Sequence, residues 1–294
     1  MKIAVSGASG LIGGALIRAL RESGHDFGRL MRRAPRNPGE LEWRPERGLA
    51  EPAEIQGFDA LVHLAGESVA GGRWTSERRR RIRSSRIPST LRLVESLSTI
   101  ERPPRVFVCA SAVGYYGDRG DELLDEDSPA GGGFLASVCR DWEAAAATAA
   151  TVCERVVILR FGVVLSAGGG ALPRMLTPFR LGLGGRLGSG RQYFPWIHLD
   201  DAVAAIRRLL EQGEGPVNLT APEPVTNADL TRALARTLRR PAVFPVPRPA
   251  LLAAFGAMAR ETLLASARVV PARLLSDGFA YCHPTLDSAL RHEL

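Results

Sequence analysis

The chain has almost no lysine: Lys2 is the only one among 38 basic residues. An arginine guanidinium stays protonated in proteins, so it cannot replace lysine as a Schiff-base amine. Any mechanism that requires a lysine therefore has only Lys2 available, within the first strand-like segment. The sequence excludes every catalytic motif in which a lysine stands elsewhere.

Cysteine is also scarce, and no two of the four cysteines form a C-x-x-C pair. This spacing argues against a disulfide framework and favours reduced thiols, so we expect a cytoplasmic protein. No Cys/His/carboxylate group has metal-ligand spacing, and we predict no metal site. No apolar run reaches membrane-spanning length, so we expect no membrane partner. The strand-like start at 1–5 leaves no room for a signal peptide.

Positive charge is concentrated in one segment. Six arginines lie within residues 78–86, and without them the net charge of +7 falls to +1. A basic run can bind nucleic acid, but neither interleaved aromatic residues nor a nucleic-acid motif accompanies this one. We expect a solvated helix face that lends one arginine to a phosphate, rather than a nucleic-acid surface.

Short apolar runs alternate with amphipathic segments through most of the chain. This alternation predicts an α/β fold, a Rossmann-type doubly wound parallel sheet. The predicted strands are 2–6, 26–31, 59–64, 106–110 and 156–159, and the predicted helices are 15–23, 76–86, 88–98, 136–150, 201–212 and 226–238.

The alternation of apolar runs and amphipathic segments changes after residue 165. Residues 166–200 are rich in glycine, and we interpret them as a substrate-side insertion. The proline-rich stretch 241–249 predicts a linker, followed by a small helical cap. We therefore predict a nucleotide-binding domain at 1–240 and a C-terminal cap domain at 241–294. The oligomeric state stays open between monomer and homodimer.

Gly7, Gly10 and Gly13 follow the first predicted strand and open the first predicted helix. In that context the first glycine allows a tight turn, the second allows a pyrophosphate to approach the backbone, and the third allows close helix packing. The pattern predicts a dinucleotide site at the helix N-terminus.

The end of the second predicted strand distinguishes the two nicotinamide dinucleotides. A carboxylate there would accept a hydrogen bond from a free ribose 2′-hydroxyl, but the strand ends at Arg32 and Arg33, with no carboxylate before Glu40. An arginine fork suits a 2′-phosphate. We predict NADP(H) as the cofactor, with Arg32 as the main contact.

Several motifs together resemble one superfamily. They are Asp59-Ala-Leu-Val-His-Leu-Ala-Gly-Glu67, Arg73-Trp-Thr75, Ser111-Ala-Val-Gly-Tyr-Tyr-Gly-Asp118, Gly182-Leu-Gly-Gly185 and Trp196-Ile-His-Leu-Asp-Asp201. The chain resembles the short-chain dehydrogenase/reductase superfamily in its extended, epimerase-like branch. Within that branch it is similar to an atypical subfamily of sugar-nucleotide epimerase-like proteins without an assigned activity. The resemblance covers nearly the whole chain.

The resemblance implies two sets of site residues. The cofactor-binding set is Gly7, Ser9, Gly10, Leu11, Ile12, Gly13, Met31, Arg32, Leu64, Ala65, Gly66, Glu67, Arg86, Ser111, Phe161, Gly162 and Val163. The substrate-side set is Tyr115, Tyr116, Leu135, Cys139, Trp196 and His198. For His198 taken alone, a structural histidine is the simpler interpretation.

Active members of the superfamily carry a Tyr-x-x-x-Lys motif, in which the lysine lowers the pKa of the tyrosine. This chain lacks the motif. The usual spacing from Ser111 places Leu135 at the tyrosine position and Cys139 at the lysine position. Ser111 and Tyr116 remain as weak catalytic candidates.

Three functions therefore stay open. The chain could be an NADP-dependent reductase or epimerase with a substitute acid–base group, acting on a sugar nucleotide or a small carbonyl compound. It could instead be a non-catalytic NADPH-binding sensor or scaffold. The least supported alternative is an interaction protein that uses the basic run.

Overall fold

The structure, a computed structural model, describes residues 1–294. Its strands are β1 Lys2–Ser6, β2 Asp26–Met31, β3 Glu40–Arg44, β4 Gly48–Leu49, β5 Ala60–His63, β6 Val106–Ala112, β7 Leu123–Leu124, β8 Arg155–Phe161, β9 Val163–Leu165, β10 Tyr193–Phe194, β11 Trp196–His198, β12 Gly215–Leu219, β13 Val225–Thr226 and β14 Arg268–Val269. Its α-helices are α1 Leu11–Glu22, α2 Ser76–Ser84, α3 Ile87–Leu97, α4 Phe134–Ala147, α5 Leu172–Arg180, α6 Leu199–Glu211, α7 Asn227–Leu238, α8 Arg248–Phe255, α9 Ala272–Ser276 and α10 Leu286–Glu293.

Eight strands form one sheet in the order β12-β8-β6-β5-β1-β2-β3-β4. Its strands pair in parallel, except that β3 and β4 are antiparallel. The order reverses at β1, which lies between β2 and β5. Ligands of doubly wound sheets bind at such a switch point, outside the carboxyl ends of the strands. The predicted Rossmann-type fold is confirmed, and its switch point lies after Ser6, Met31 and His63.

The central strands are apolar throughout because helices cover the sheet. β5 is buried at every position, and α1 packs against α6 while α3 packs against α4. One core of 45 buried residues joins these strands and helices. Continuous apolar runs, without polar alternation, are typical of parallel sheets buried on both faces.

Most predicted elements are found within a few residues of their predicted bounds. The predicted helix 226–238 begins after Thr226, whose side chain accepts the Asp229 N–H while the Asp229 carboxylate accepts the Thr226 N–H at 2.9 Å. This capping box satisfies backbone donors at the helix start. The arginine-rich helix is shorter than predicted, because α2 ends at Ser84 and α3 begins at Ile87.

Two regions in the second half of the chain contain short elements that the sequence did not predict. The glycine-rich stretch 166–200 contains α5 and the short strands β10 and β11. The C-terminal region is mostly helical, as predicted, and its one short strand, β14, pairs in parallel with β7. Strands of two or three residues are too short to show a two-residue period in the sequence.

The C-terminal region shares its packing with the rest of the chain. α10 packs on α7, and a second buried core of 12 residues includes side chains of both helices and of α5. Leu274 of α9 belongs to the main core beside the sheet. The division at residue 240 stays a prediction. None of the helices combines the length and the apolar composition that a membrane span requires.

Candidate functional site

The turn between β1 and α1 can be built only with glycine at two positions. Gly7 has φ +70°, and a Cβ there would lie 2.9 Å from the carbonyl carbon of Leu64. A Cβ on Gly13 would lie 2.3 Å from the Gly7 oxygen. α1 starts at Leu11 with no side-chain cap and no acidic residue in its first turn. Its first amides therefore lack intrahelical partners and are available to an anion.

A cleft of 510 Å³ opens at the switch point of the sheet. The loops after β1, β2 and β5 form most of its wall, and residues of β3 and the β3–β4 turn close it. Nine residues of the predicted cofactor set line it: Gly7, Ser9, Gly10, Met31, Arg32, Leu64, Ala65, Gly66 and Glu67. The remaining wall is formed by Ala8, Leu30, Arg33, Trp43, Pro45 and Ser85.

The two arginines that follow β2 differ in their partners. Arg33 donates to both carboxylate oxygens of Glu40, at 2.8 and 3.2 Å, and Arg29 lies 3.5 Å from the same carboxylate. The Arg33 guanidinium, the Asn37 amide and the Arg36 N–H hold the pKa of Glu40 far below its usual range. Arg32 is exposed and makes neither a hydrogen bond nor an ion pair with the protein. A free guanidinium thus lines the cleft beside a carboxylate that is already neutralised.

Arg86, the last arginine of the basic run, lies between the end of α2 and the start of α3. Its Nη1 donates to the Ile82 carbonyl at 3.1 Å, and its guanidinium stacks 5.0 Å from the Trp142 ring centroid. A Cβ on Gly66 would lie 3.3 Å from this guanidinium, so Arg86 adjoins the cleft wall. Burial lowers the pKa of Arg86, and it forms no ion pair. A half-buried cation without a carboxylate partner suits a phosphate.

Ser111 is in place at the end of β6, but its hydroxyl is engaged. It donates to Glu143 of α4 at 2.6 Å. The same carboxylate accepts from Arg160 Nε and Nη2, each at 2.9 Å, and these two charged side chains are only 10% and 4% exposed. Ser111 therefore belongs to a buried ionic network with Glu143 and Arg160.

Tyr116 belongs to the same network. Its ring is wholly buried, and its hydroxyl contacts the Asp125 carbonyl, Asn218 Oδ1 and Arg160 Nη1 at 2.8, 2.8 and 2.9 Å. Burial raises its pKa to about 12. The prediction that Tyr116 is a substrate-side or catalytic group conflicts with this burial, since no face of the phenol is open. Tyr115 is half-buried, and the Arg160 guanidinium lies 3.7 Å from its ring centroid.

Leu135 and Cys139 lie on one face of α4, as their spacing predicts. Both face Gly114: a Cβ there would lie 3.4 Å from Leu135 Cβ and 3.7 Å from Cys139 Sγ. Cys139 is buried, and desolvation together with the Glu143 charge raises its pKa to about 12. A thiol of this kind is no base at neutral pH.

The remaining predicted residues lie outside the cleft. Phe161, Gly162 and Val163 join β8 to β9, and a Cβ on Gly162 would lie 3.0 Å from the Pro195 oxygen. Trp196 and His198 are both 1% exposed. His198 Nε2 lies 2.9 Å from a Glu293 carboxylate oxygen. The substrate-side prediction for Trp196 and His198 conflicts with these positions, because both rings are packed in the interior.

Sequence reasoning missed two features of the site. One is Trp43, which forms part of the cleft wall. The alternation of polar and apolar residues in Glu40-Leu-Glu-Trp-Arg44 is a strand signal that could have revealed it. The other is Arg160, a charged residue between the apolar residues Leu159 and Phe161 of β8. A charge at such a position in a buried strand signals a buried partner.

The sequence matches the model of the NAD dependent epimerase/dehydratase family over residues 3–220, and that of a domain of unknown function (DUF1731) over residues 246–293. The epimerase family protein Mb2239 of Mycobacterium bovis is 46% identical over 98% of this chain and 96% of its own length.

Two solved structures are similar over the full chain. The human epimerase family protein SDR39U1 (isoform 2), crystallised with NADPH, has a TM-score of 0.89 at 35% identity, covering 100% of this chain and 99% of that one. The nucleoside-diphosphate sugar epimerase of Corynebacterium glutamicum has a TM-score of 0.83 at 38% identity, covering 100% of this chain and 58% of that one.

Proposed function

The chain belongs to the NAD-dependent epimerase/dehydratase family, and we propose that it binds NADP(H) in preference to NAD(H). One observation carries the proposal: Arg32 lines the cleft without a protein partner, while Arg33 and Arg29 neutralise Glu40. The 2′-phosphate would thus meet a free guanidinium and no unpaired carboxylate at the end of β2. The similar human structure crystallised with NADPH supports the same choice.

Other cleft residues complete the proposed cofactor site. The first turn of α1, from Leu11 to Gly13, offers backbone amides to the pyrophosphate. Arg86 adds a charge beside Gly66, where the loop after β5 would line the adenine and ribose. The buried β8–β9 junction would pack beside the nicotinamide.

Cofactor titration tests this choice directly. We expect the purified protein to bind NADPH more tightly than NADH, as measured by isothermal titration calorimetry. Arg32→Ala should weaken NADPH binding roughly 10- to 100-fold, because a hydrogen bond to a charged group contributes about 1.5–3 kcal/mol. NADH affinity should stay unchanged. Arg36→Ala is the matched control, since Arg36 is an exposed arginine of the same loop outside the cleft. Equal affinity of the unmodified protein for the two cofactors would contradict the proposal.

We further propose that the protein is a reductase or epimerase acting on a small carbonyl compound or a sugar nucleotide. Bound NADP(H) would supply or accept the hydride in that reaction. Of the two tyrosines after β6, Tyr115 is the better candidate for the substitute acid–base group. Its hydroxyl makes no hydrogen bond with the protein, and the Arg160 guanidinium lies over its ring.

A second candidate function is a sensor or scaffold that holds NADPH without turnover. The engaged hydroxyls of Ser111 and Tyr116 favour it, as does the high pKa of the Cys139 thiol. None of these three groups is free to exchange a proton with a substrate.

Absorbance of the reduced nicotinamide separates the two candidates. An enzyme would oxidise NADPH with some member of a panel of carbonyl compounds and nucleotide sugars, and Tyr115→Phe would abolish turnover while leaving NADPH affinity unchanged. A protein that retains tightly bound NADPH through purification and never oxidises it would be the sensor. Turnover that survives Tyr115→Phe at the full rate would refute the role of Tyr115.

A further inference from the structure

Three of the five histidines of the chain, although distant in sequence, lie close together in the structure. His198 ends β11 and precedes α6, and Asp200 stands in the first turn of α6. His283 precedes α10, and His292 lies in its last turn. One ligand atom from each of these four side chains lies within 4.8 Å of the other three.

The carboxylate is the centre of this cluster. Asp200 Oδ2 lies 3.7 Å from His198 Nδ1, 3.8 Å from His283 Nε2 and 3.7 Å from His292 Nε2. Ligand atoms about 2.0–2.1 Å from a tetrahedral metal ion are about 3.3 Å apart, so these three carboxylate–imidazole distances would contract by about half an ångström on binding. The rings of His198, His283 and His292 also contact one another, with centroids 4.0 to 5.3 Å apart.

Neighbouring groups orient His198 and His283. His198 Nε2 lies 2.9 Å from the Glu293 carboxylate, which holds the proton on Nε2 and leaves Nδ1 unprotonated toward Asp200. Its Nδ1 now accepts a long hydrogen bond of 3.2 Å from the Asp200 N–H, which an ion would replace.

His283 is fixed through its backbone. The buried Asp201 carboxylate accepts the Cys282 N–H at 2.6 Å and the His283 N–H at 3.0 Å. A carboxylate behind a ligating histidine, such as Glu293 behind His198, is the usual outer shell of a zinc site. The arrangement thus supplies three imidazoles, one carboxylate and that outer partner.

We propose that His198, Asp200, His283 and His292 bind one divalent transition-metal ion of the Zn²⁺ type. Three nitrogen ligands and one oxygen ligand suit tetrahedral Zn²⁺, and four protein ligands leave no open position for catalysis. The site is structural: it joins α10 and the segment before it to the start of α6, and so fastens the C-terminal helix to the sheet domain. It lies apart from the cofactor cleft, whose lining contains none of these residues.

Zinc titration of the tag-free, chelator-treated full chain tests the proposal. Calorimetry should show one Zn²⁺ bound per chain. At a free Zn²⁺ concentration a hundred times Kd, the melting temperature should rise by roughly 5 °C, because the ion binds only the folded chain. NADPH affinity should stay the same with and without zinc.

Two variants and a control make the test specific to the cluster. His292→Ala removes an exposed ligand that makes no hydrogen bond, so the apo protein should fold as before and lose at least tenfold in Zn²⁺ affinity. Glu293→Gln should lower the Zn²⁺ affinity roughly 10- to 100-fold, because the Glu293 carboxylate orients the ligating His198 ring. His25→Ala, at a histidine outside the cluster, should bind zinc like the unmodified protein. Equal zinc affinity of the unmodified protein and His292→Ala, or no rise in melting temperature with zinc, would overturn the proposal.

Discussion

Replacing Glu143 by leucine should be among the most damaging single substitutions in this protein. The carboxylate accepts the Ser111 hydroxyl at 2.6 Å and two Arg160 N–H groups at 2.9 Å. Without it, the Arg160 guanidinium, only 4% exposed, stays buried without a counter-charge. Removing one partner of a buried pair costs about 3–5 kcal/mol, so we expect a loss of that size in the free energy of unfolding.

Urea denaturation followed by circular dichroism measures this loss, and two further variants identify its cause. The double variant Glu143→Leu/Arg160→Met removes both charges, so its free energy of unfolding should fall less than that of Glu143→Leu alone. Glu95→Ala breaks the exposed pair of Arg92 and Glu95, which are 2.6 Å apart, and should cost less than about 1 kcal/mol. If Glu143→Leu lost no more than Glu95→Ala, the buried charge pair would not be the stabilising feature that the geometry indicates.

Three further predictions concern the glycine turn, a buried histidine and the thiols. Gly13→Ala should abolish cofactor binding in a calorimetric titration, because its Cβ would lie 2.3 Å from the Gly7 oxygen. Gly14→Ala, whose Cβ would meet no atom closer than 3.6 Å, should bind normally and raise the free energy of unfolding by about 0.5–1 kcal/mol. Burial lowers the pKa of His63 from 6.5 to about 4, so the unfolded chain binds the extra proton and stability should fall as pH drops from 6.5 to 4. His63→Gln should reduce this pH slope in urea titrations, and an unchanged slope would show that other groups cause it. Of the four cysteines only Cys282 is exposed, so a thiol reagent should label one cysteine per native chain and four after unfolding; rapid native labelling of Cys139 would contradict its burial.

The fold and the cofactor cleft could be predicted from the sequence because their signals are local. Gly7, Gly10 and Gly13 lie within seven consecutive residues, and the central strands are continuous apolar runs. Arg32 follows the second strand directly, so its place in the cleft needs only the strand order. Each of these inferences depends on residues that are close in sequence or on a common topology.

The features that sequence reasoning missed depend on contacts between distant residues. Arg160 reaches Glu143 and Tyr116 across 17 and 44 positions of the chain. These contacts, rather than the motif around Ser111, decide which hydroxyls are free. His198 and Glu293 are 95 positions apart, so the spacing of histidines along the chain could not reveal the cluster, and no metal site was predicted. Side-chain burial at such sites follows from tertiary packing, which local patterns do not encode.

The most direct test of the cofactor assignment is a crystal structure of the protein grown with NADPH. We expect the pyrophosphate at the start of α1 and the 2′-phosphate within hydrogen-bond distance of the Arg32 guanidinium, with Arg33 still bound to Glu40. A 2′-phosphate that makes no contact with Arg32, or a cofactor bound outside the cleft, would contradict it.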